Sequence, residues 1–307
     1  MKIENFAKDS FVKKETNDEY HANKEYIGST SLKLYKQSPL HFKEQTELDT
    51  PAIRFGSMYH EFILEPDVFK ENYYILDDSE ICEQLLINGF VDEKGKHKDV
   101  KSPRSTKPYK EWLFAQETIA AGRELVTLDE FKQIETMKTV LFSHFYVRYL
   151  LTNGENELSH YTELEGVKVK VKPDSLHKKK RLIADLKTCV NASKDKFEKH
   201  SSDFNFHISG SIYCDACAKI YNLPGNWTFI MIAQEKTPPY AFNMFRLSAQ
   251  AMAIGQYEYE LLLAQHKYCQ ESGIYKGYEV FCDNKFGISE INVPPYNIKE
   301  INFYNTY

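Results

Sequence analysis

The sequence predicts one α/β domain with a helical N-terminal part. Helical patterns fill residues 29–69 and 109–151, with an irregular stretch between them. The apolar period then changes to two, where three valines alternate with three lysines over residues 167–172. Helix and strand patterns alternate from there to about residue 271. This order of elements is typical of a sheet covered by helices.

The chain begins with a polar stretch, MKIENFAKDSFVKKETNDEY, that lacks the apolar core of a signal peptide. We expect residues 1–19 to be a flexible tail and residues 20–307 to form the domain. No apolar run approaches the ~20 residues that a membrane helix needs. We therefore expect a cytoplasmic protein with no membrane partner.

Two N-terminal helices are predicted from their boundary residues. In GSTSLKLYKQSPLHFKEQ, Ser29 or Ser31 is a candidate N-cap and Ser38-Pro39 a candidate stop. The second helix, in FGSMYHEFILEPDVF, is expected to end near Glu65-Pro66.

The later elements follow from period and punctuation. Residues 109–151 predict two helices with a break near TLDEF. NFHISGSIYCDACAKIYNL predicts a helix that Pro224-Gly225 ends, and NWTFIMIAQEK and YAFNMFRLS predict two strands. A long helix is expected from Ala249 to about Glu271, with Gly273 beyond its end.

The stretch VKVKVKPDSLHKKKRLIADLKT carries the candidate chemistry. Period two places Ile183, Asp185 and Lys187 on one face of a strand. If the chain turns at Lys179-Lys180, Asp174 lies opposite Asp185, with Cβ atoms about 5 Å apart. Two facing carboxylates repel unless a cation joins them, and a divalent metal with oxygen ligands supplies that charge. With Lys187 to orient a water, these are the parts of metal-assisted hydrolysis of a phosphodiester. An exposed face on which Asp185 and Lys187 simply pair is the alternative that the D-x-K spacing alone favours.

Charge and cysteine usage narrow the function classes. The net charge is −5, yet Lys94–Lys110 holds seven basic residues and one acidic residue, as does Lys168–Arg181. Such segments suit a face that meets a polyanion, and equally a solvated charged loop.

Of six cysteines, Cys214 and Cys217 alone have a ligand-like spacing. Without a second pair nearby, we expect neither a zinc site nor an iron–sulfur cluster.

The series Pro173-Asp174, ten residues, Asp185-Leu186-Lys187 matches the PD-(D/E)XK nuclease signature. Over nearly its whole length after the tail, the chain resembles the RecE-type exonucleases of phage recombination systems (exodeoxyribonuclease VIII, nuclease domain). STSLKLYKQSPLHFK is similar to that family's opening helix, and FGSMYHEFILEPDVF to its G-x-x-x-H-x-x-x-L-E-P segment. FHISGSIYCDA is similar to a helix with a Gln and a Tyr four residues apart; Tyr213 matches, while Ser209 stands at the Gln position.

The resemblance implies the PD-(D/E)XK nuclease fold, a central mixed β-sheet flanked by helices. It implies Mg²⁺, which Mn²⁺ can replace, and catalysis in which Lys187 positions the attacking water and Tyr213 contacts the scissile region or the DNA backbone. The metal ligands that it implies are His60, Asp174, Asp185, the carbonyl of Leu186 and, in ENELS, Glu157. The DNA-binding residues that we expect are Lys107, Lys178, Lys179, Lys180, Arg181 and Ser209.

The implied activity is 5′-to-3′ degradation of one strand from the ends of duplex DNA. This leaves 3′ single-stranded tails for a partner single-strand annealing protein, and the family forms ring-like homo-oligomers through which DNA passes. Three alternatives stay open: a DNA endonuclease of the same superfamily, a catalytically inactive DNA-binding protein, and a small-molecule metallohydrolase. Cleavage of a closed-circular plasmid, metal-independent binding without cleavage, and absence of DNA binding would distinguish them in turn.

Overall fold

The computed structural model describes residues 6–46, 50–281 and 288–293. The strands in these ranges are β1 (Phe11–Lys13), β2 (Ile27–Gly28), β3 (Tyr73–Leu76), β4 (Phe90–Val91), β5 (His97–Lys98), β6 (Glu124–Thr127), β7 (Glu155–Asn156), β8 (Ser159–Leu164), β9 (Val167–Val171), β10 (Ser175–His177), β11 (Leu182–Cys189), β12 (Thr228–Glu235) and β13 (Phe242–Arg246).

The α-helices in the same ranges are α1 (Asn17–Ala22), α2 (Ser29–Lys33), α3 (Pro39–Lys43), α4 (Pro51–Leu64), α5 (Pro66–Asn72), α6 (Ser79–Asn88), α7 (Lys107–Ala120), α8 (Leu128–Phe142), α9 (Phe145–Thr152), α10 (Lys194–Asp203), α11 (Phe206–Ile220) and α12 (Ala249–Ser272). Single 3₁₀ turns cover Leu34–Lys36, Pro103–Ser105, Lys178–Lys180 and Tyr278–Phe281. Across the described part of the chain, every helix is too short or too polar to cross a membrane.

Two larger sheets form the centre of the fold. The first is mixed and has the order β13-β12-β11-β10-β7, in which β11 and β12 are parallel and the other pairs antiparallel. The second has the order β1-β8-β9-β2. Since β7 leads into β8 and β9 leads into β10, the same two chain segments contribute to both sheets.

Strand β11 is buried on both faces, as expected for the centre of a sheet flanked by helices. Leu182, Ala184 and Leu186 pack in a core with α4, α8 and α9. Ile183 faces the opposite core, which α11 closes and α12 covers. This division of faces confirms the prediction from period two. Cys214 and Cys217 of α11 are buried in the same core as Ile183.

Two predicted helix ends agree with the structure. α4 ends at Leu64, just before Glu65-Pro66, and α12 ends just before Gly273, which adopts a positive φ of 70°. The predicted N-caps Ser29 and Ser31 are wrong, because α2 follows Gly28 and has no side-chain cap. Ser38 instead caps a further helix, α3, by accepting the backbone N–H of His41.

Residues 11–19, within the segment expected to be a flexible tail, are built into the fold. β1 pairs with β8, and the ring of Phe11 stacks on that of Tyr161 with 4.6 Å between centroids. Thr16 and Glu19 form a capping box at the start of α1. Regular structure therefore begins well before residue 20, because β1 pairs with backbone groups that β8 would otherwise leave free. Residues 1–5 lie outside the described ranges.

The lysine face of β9 is covered by this N-terminal segment. Lys170 is buried and donates to the carbonyls of Tyr20 and, at 2.7 Å, Asn23. Lys172 is also buried and donates to Oδ1 of Asn17 at 2.6 Å. These buried lysines lead directly into Asp174.

Candidate active site

Two carboxylates, Glu157 and Asp174, lie at a break in the pairing of two chain segments. On one side of the break β7 pairs with β10, and on the other side β8 pairs with β9. Asn156 lies opposite Ser175 on one side of the break, and His160 lies opposite Val171 on the other. The register is the same on both sides, so it places Glu157 opposite Asp174. Glu157 has a positive φ of 53°, which bends the chain there.

A third carboxylate faces Asp174 from the other side. Ser175 lies opposite Ala184 and Leu176 opposite Ile183, which confirms the register predicted for this hairpin. Asp174 therefore lies opposite Asp185 and occupies the middle of three acidic positions. The intervening turn is longer than a two-residue turn, since a 3₁₀ turn precedes Arg181, which has a φ of 49°.

Hydrogen bonds fix the acidic side chains and the lysine. Oδ2 of Asp174 accepts the backbone N–H of Leu186 at 2.6 Å. Nζ of Lys187 lies 2.7 Å from Oδ2 of Asp185. Both aspartates are buried, with 8% and 7% of their surface exposed, so these contacts replace most of the hydration that the carboxylates lose.

Helix α4 brings His60 to the same place. Its Nδ1 lies 3.6 Å from Oδ2 of Asp174, and the ring hydrogen-bonds the backbone of Leu186. Burial, followed by the positive charge of Lys187, lowers the pKa of His60 to about 4. The imidazole is therefore neutral near pH 7, which is the form that binds metals.

Burial dominates the electrostatics of the carboxylates. It raises the pKa of Glu157 to about 8, and the negative charge of Asp174 adds to this rise. Burial also raises the pKa of Asp174 and that of Asp185, against the opposing charge of Lys187. The three groups favour protonation or a bound cation over joint ionisation.

The donor set fits a divalent cation. One ligand atom from each of His60, Glu157 and Asp174 lies within 4.8 Å of the other two. Carboxylate oxygens and a neutral imidazole suit Mg²⁺ or Mn²⁺, whose charge would relieve the repulsion. The carbonyl of Leu186 faces the same space. It accepts a hydrogen bond from Nζ of Lys187 at 3.4 Å, and the His60 ring hydrogen-bonds the same backbone. Asp185 stands beside this trio, with its carboxylate on Lys187.

We expect the metal-free protein to lose stability as the pH rises from about 5 to about 8, in part through Glu157. The folded pKa of Glu157 exceeds its unfolded value, so its contribution is complete below the unfolded pKa and is lost as the pH rises through the folded pKa. The loss from one group is at most about 1.4 kcal/mol per pH unit. Urea unfolding in EDTA at several pH values should give a flatter dependence for Glu157→Gln. Equal slopes for wild type and variant would contradict the assignment.

Helix α11 places Tyr213 and Ser209 near this site. Burial, then the charges of Asp185 and Asp174, raises the pKa of Tyr213, whose hydroxyl hydrogen-bonds Ser29. Oγ of Ser209 accepts a hydrogen bond from Nζ of Lys33 at 3.0 Å. Neither Lys33 nor Lys172 was predicted as part of the site. Nζ of Lys172 lies 3.2 Å from Oε2 of Glu157. The sequence signal that could have identified Lys172 is its position two residues before Asp174.

The predicted DNA-binding cations at the β10–β11 turn lie apart from the carboxylates. Arg181 precedes Asp185 by four strand positions, or about 13 Å. Lys178 pairs with Glu155 at 2.7 Å, and Nζ of Lys180 lies over the ring of Tyr149. Lys179 and Arg181 are exposed. The turn presents positive charge at the far end of the strand.

Lys107 belongs to a separate region. It begins α7, and its ammonium pairs with Glu93. Lys98 and Arg104 of the same basic segment pair with Asp92 at 3.6 Å and Asp78 at 2.7 Å. Part of the charge expected to meet DNA is therefore neutralised within the segment's own neighbourhood.

The fold and the site define a class of protein. A mixed sheet flanked by helices, with two facing aspartates and a lysine on adjacent strands, is the arrangement of the PD-(D/E)XK nucleases, and it confirms the predicted fold class. Residues 28–278 match the family model described as "PDDEXK-like domain of unknown function (DUF3799)". The chain belongs to this family.

A solved structure has a similar fold. It is described as "Putative exonuclease" from Eubacterium rectale, and it superposes with a TM-score of 0.55 at 17% sequence identity. The match covers 92% of this chain and 96% of that chain. At this identity the likeness supports the fold. No curated protein matches the chain in sequence.

Proposed function

We propose that the protein is a Mg²⁺-dependent exonuclease that degrades one strand of duplex DNA from its 5′ end. The observation that supports this best is the placement of Asp174 opposite Asp185, with Lys187 and His60 against them. Membership of a PDDEXK-like family agrees with a nuclease, and so does the likeness to a protein described as an exonuclease.

The residues divide the chemistry of phosphodiester hydrolysis among them. The metal would be held by His60, Glu157, Asp174, Asp185 and the Leu186 carbonyl. The chemistry that such an ion would supply is polarisation of a phosphoryl oxygen and easier ionisation of a water. Although burial opposes it, the carboxylates of Asp185 and Asp174 raise the pKa of Lys187, so its ammonium stays charged. That ammonium can orient the attacking water and stabilise the negative charge that develops on the phosphate.

The direction of digestion and the biological role rest on the resemblance to the RecE-type exonucleases. On that basis we propose a cytoplasmic enzyme that leaves 3′ single-stranded tails for an annealing protein and assembles into a ring-like homo-oligomer. Tyr213 would contact the DNA backbone, and exposed cations such as Lys179 and Arg181 would neutralise phosphates. Such contacts carry no sequence information, which suits an enzyme that accepts any sequence.

Linear duplex DNA labelled at one 5′ or one 3′ end tests the proposal directly. With Mg²⁺ we expect early release of the 5′ label, no release in EDTA, and a closed-circular plasmid that stays intact. A nicked or linearised plasmid would point to an endonuclease. DNA binding without digestion in either Mg²⁺ or Mn²⁺ would leave a binding protein and overturn the catalytic proposal.

A further inference from the structure

Lys33 is a cation beside the active site that the proposed chemistry does not use. It ends α2, and its Nζ donates to the carbonyl of Phe204 at 3.1 Å and to Oγ of Ser209 at 3.0 Å. Within the described ranges, no carboxylate oxygen lies within 4.0 Å of this ammonium. The direct hydrogen-bond acceptors of this ammonium among the described residues are therefore neutral.

The ammonium groups of Lys33 and Lys187 share one aromatic ring. They lie 5.8 Å and 5.7 Å from the centroid of Phe206, the first residue of α11. Burial, then the charge of Lys187, lowers the pKa of Lys33 to about 8, whereas Asp185 acts in the opposite direction. Two cations at one ring, of which Lys187 has the carboxylate partner, favour the binding of an added anion.

The donor inventory of Lys33 leaves room for that anion. An ammonium carries three N–H donors, and Phe204 and Ser209 take two of them. Lys33 and Lys187 are both partly exposed. A ligand that contacts Lys187 from solvent can therefore also contact Lys33 beside the ring of Phe206.

We propose that Lys33 is a substrate-binding residue that donates to a non-bridging phosphate oxygen of the DNA strand held at Lys187. The inference rests on the proposed function for the identity of the polyanion. Ser209 and the Phe204 carbonyl are positioning groups, because they fix two of the three N–H directions and so aim the third.

The salt dependence of DNA binding tests the contact without any need for cleavage. Binding of a fluorescent duplex is measured by anisotropy in EDTA over a range of NaCl concentrations. Loss of one phosphate contact should lower the slope of log K against log salt by about 0.9 in Lys33→Gln, and Lys33→Arg should restore it. Lys36→Gln is the matched control, because Lys36 lies one turn further on and is bonded to Asn205 and Glu258. A wild-type slope in a folded Lys33→Gln protein would overturn the proposal.

A spectroscopic measurement covers the case in which Lys33→Gln fails to fold. Reductive ¹³C-methylation of the wild-type protein gives a lysine signal that is assigned to Lys33 by its loss in Lys33→Arg. Duplex DNA in EDTA should move the titration midpoint of that signal upward from about 8, because an anion favours the charged form. A midpoint that DNA leaves unchanged would refute the contact. A shift without digestion in Mg²⁺ would support the Lys33 contact and contradict the proposed nuclease activity. Digestion without a shift would support the nuclease activity and refute the contact.

Discussion

Replacing Lys187 by alanine should lower the rate of DNA cleavage by about 10²–10³-fold, the loss typical of removing one group that stabilises transition-state charge. The variant lacks the ammonium that lies 2.7 Å from Asp185 and faces the carboxylates. It also leaves the buried Asp185 without its cationic partner, which raises the pKa of that carboxyl further and weakens it as a metal ligand. Single-turnover release of an end label, with enzyme in excess, measures the effect on the chemical step.

A matched control separates this effect from a general loss of positive charge. Lys199 pairs with Asp203 at 2.6 Å on α10 and has 75% of its side chain exposed, so Lys199→Ala should cleave DNA within about two-fold of wild type. DNA binding in EDTA shows whether Lys187→Ala still engages its substrate. Wild-type cleavage by Lys187→Ala would mean that this lysine has no part in the reaction.

Replacing Gln234 by leucine should destabilise the fold by about 3–5 kcal/mol, since several buried polar groups lose their partners at about 1–3 kcal/mol each. Gln234 of β12 is fully buried. It accepts a hydrogen bond from the hydroxyl of Tyr59 and donates to the carbonyls of Met137 and Tyr240 at 2.9 and 3.0 Å. One amide thereby ties α4 and α8 to the central sheet. Because Tyr59 precedes His60, loss of this hydrogen bond should also loosen the candidate metal site.

Urea unfolding of Gln234→Leu, Tyr59→Phe and the double variant measures the coupling between the two side chains. We expect the double variant to lose less stability than the sum of the two single losses, because the shared hydrogen bond is removed once. Gln84→Leu, on the exposed face of α6, removes only an i,i+4 hydrogen bond to Glu80 and should change stability by less than about 0.5 kcal/mol. Strict additivity would show that the Tyr59–Gln234 hydrogen bond contributes little.

Local patterns were enough to predict the centre of the site. The two faces of β11 and the pairing of Asp174 with Asp185 follow from a period of two and the turn between them, and the structure confirms both. The end of α4 also follows locally, because proline restricts the residue before it.

Features that depend on distant contacts do not follow from local patterns. Glu157 was expected from the family resemblance alone, and its position opposite Asp174 was not predicted, because it depends on a ladder that keeps one register across a break. Lys33 reaches the site because α2 packs against α11. The region from 71 to 110, expected to be irregular, contains α6 and the β4–β5 pair, whose weak periodicity gave little signal. β1 was missed because the partner that makes it a strand lies almost 150 residues away.

The N-terminal limit of any recombinant version follows from the contacts of Asn17. Its side chain holds Lys172, and Lys172 lies against the carboxylate of Glu157. A gene shortened to begin at residue 20, the boundary that the sequence favoured, would encode a protein without β1 and without Asn17. Such a protein would retain Asp174, Asp185 and Lys187, and we still expect it to show low nuclease activity. The loss would then be attributed wrongly to residues far from the N-terminus. Expression should therefore start ahead of Phe11.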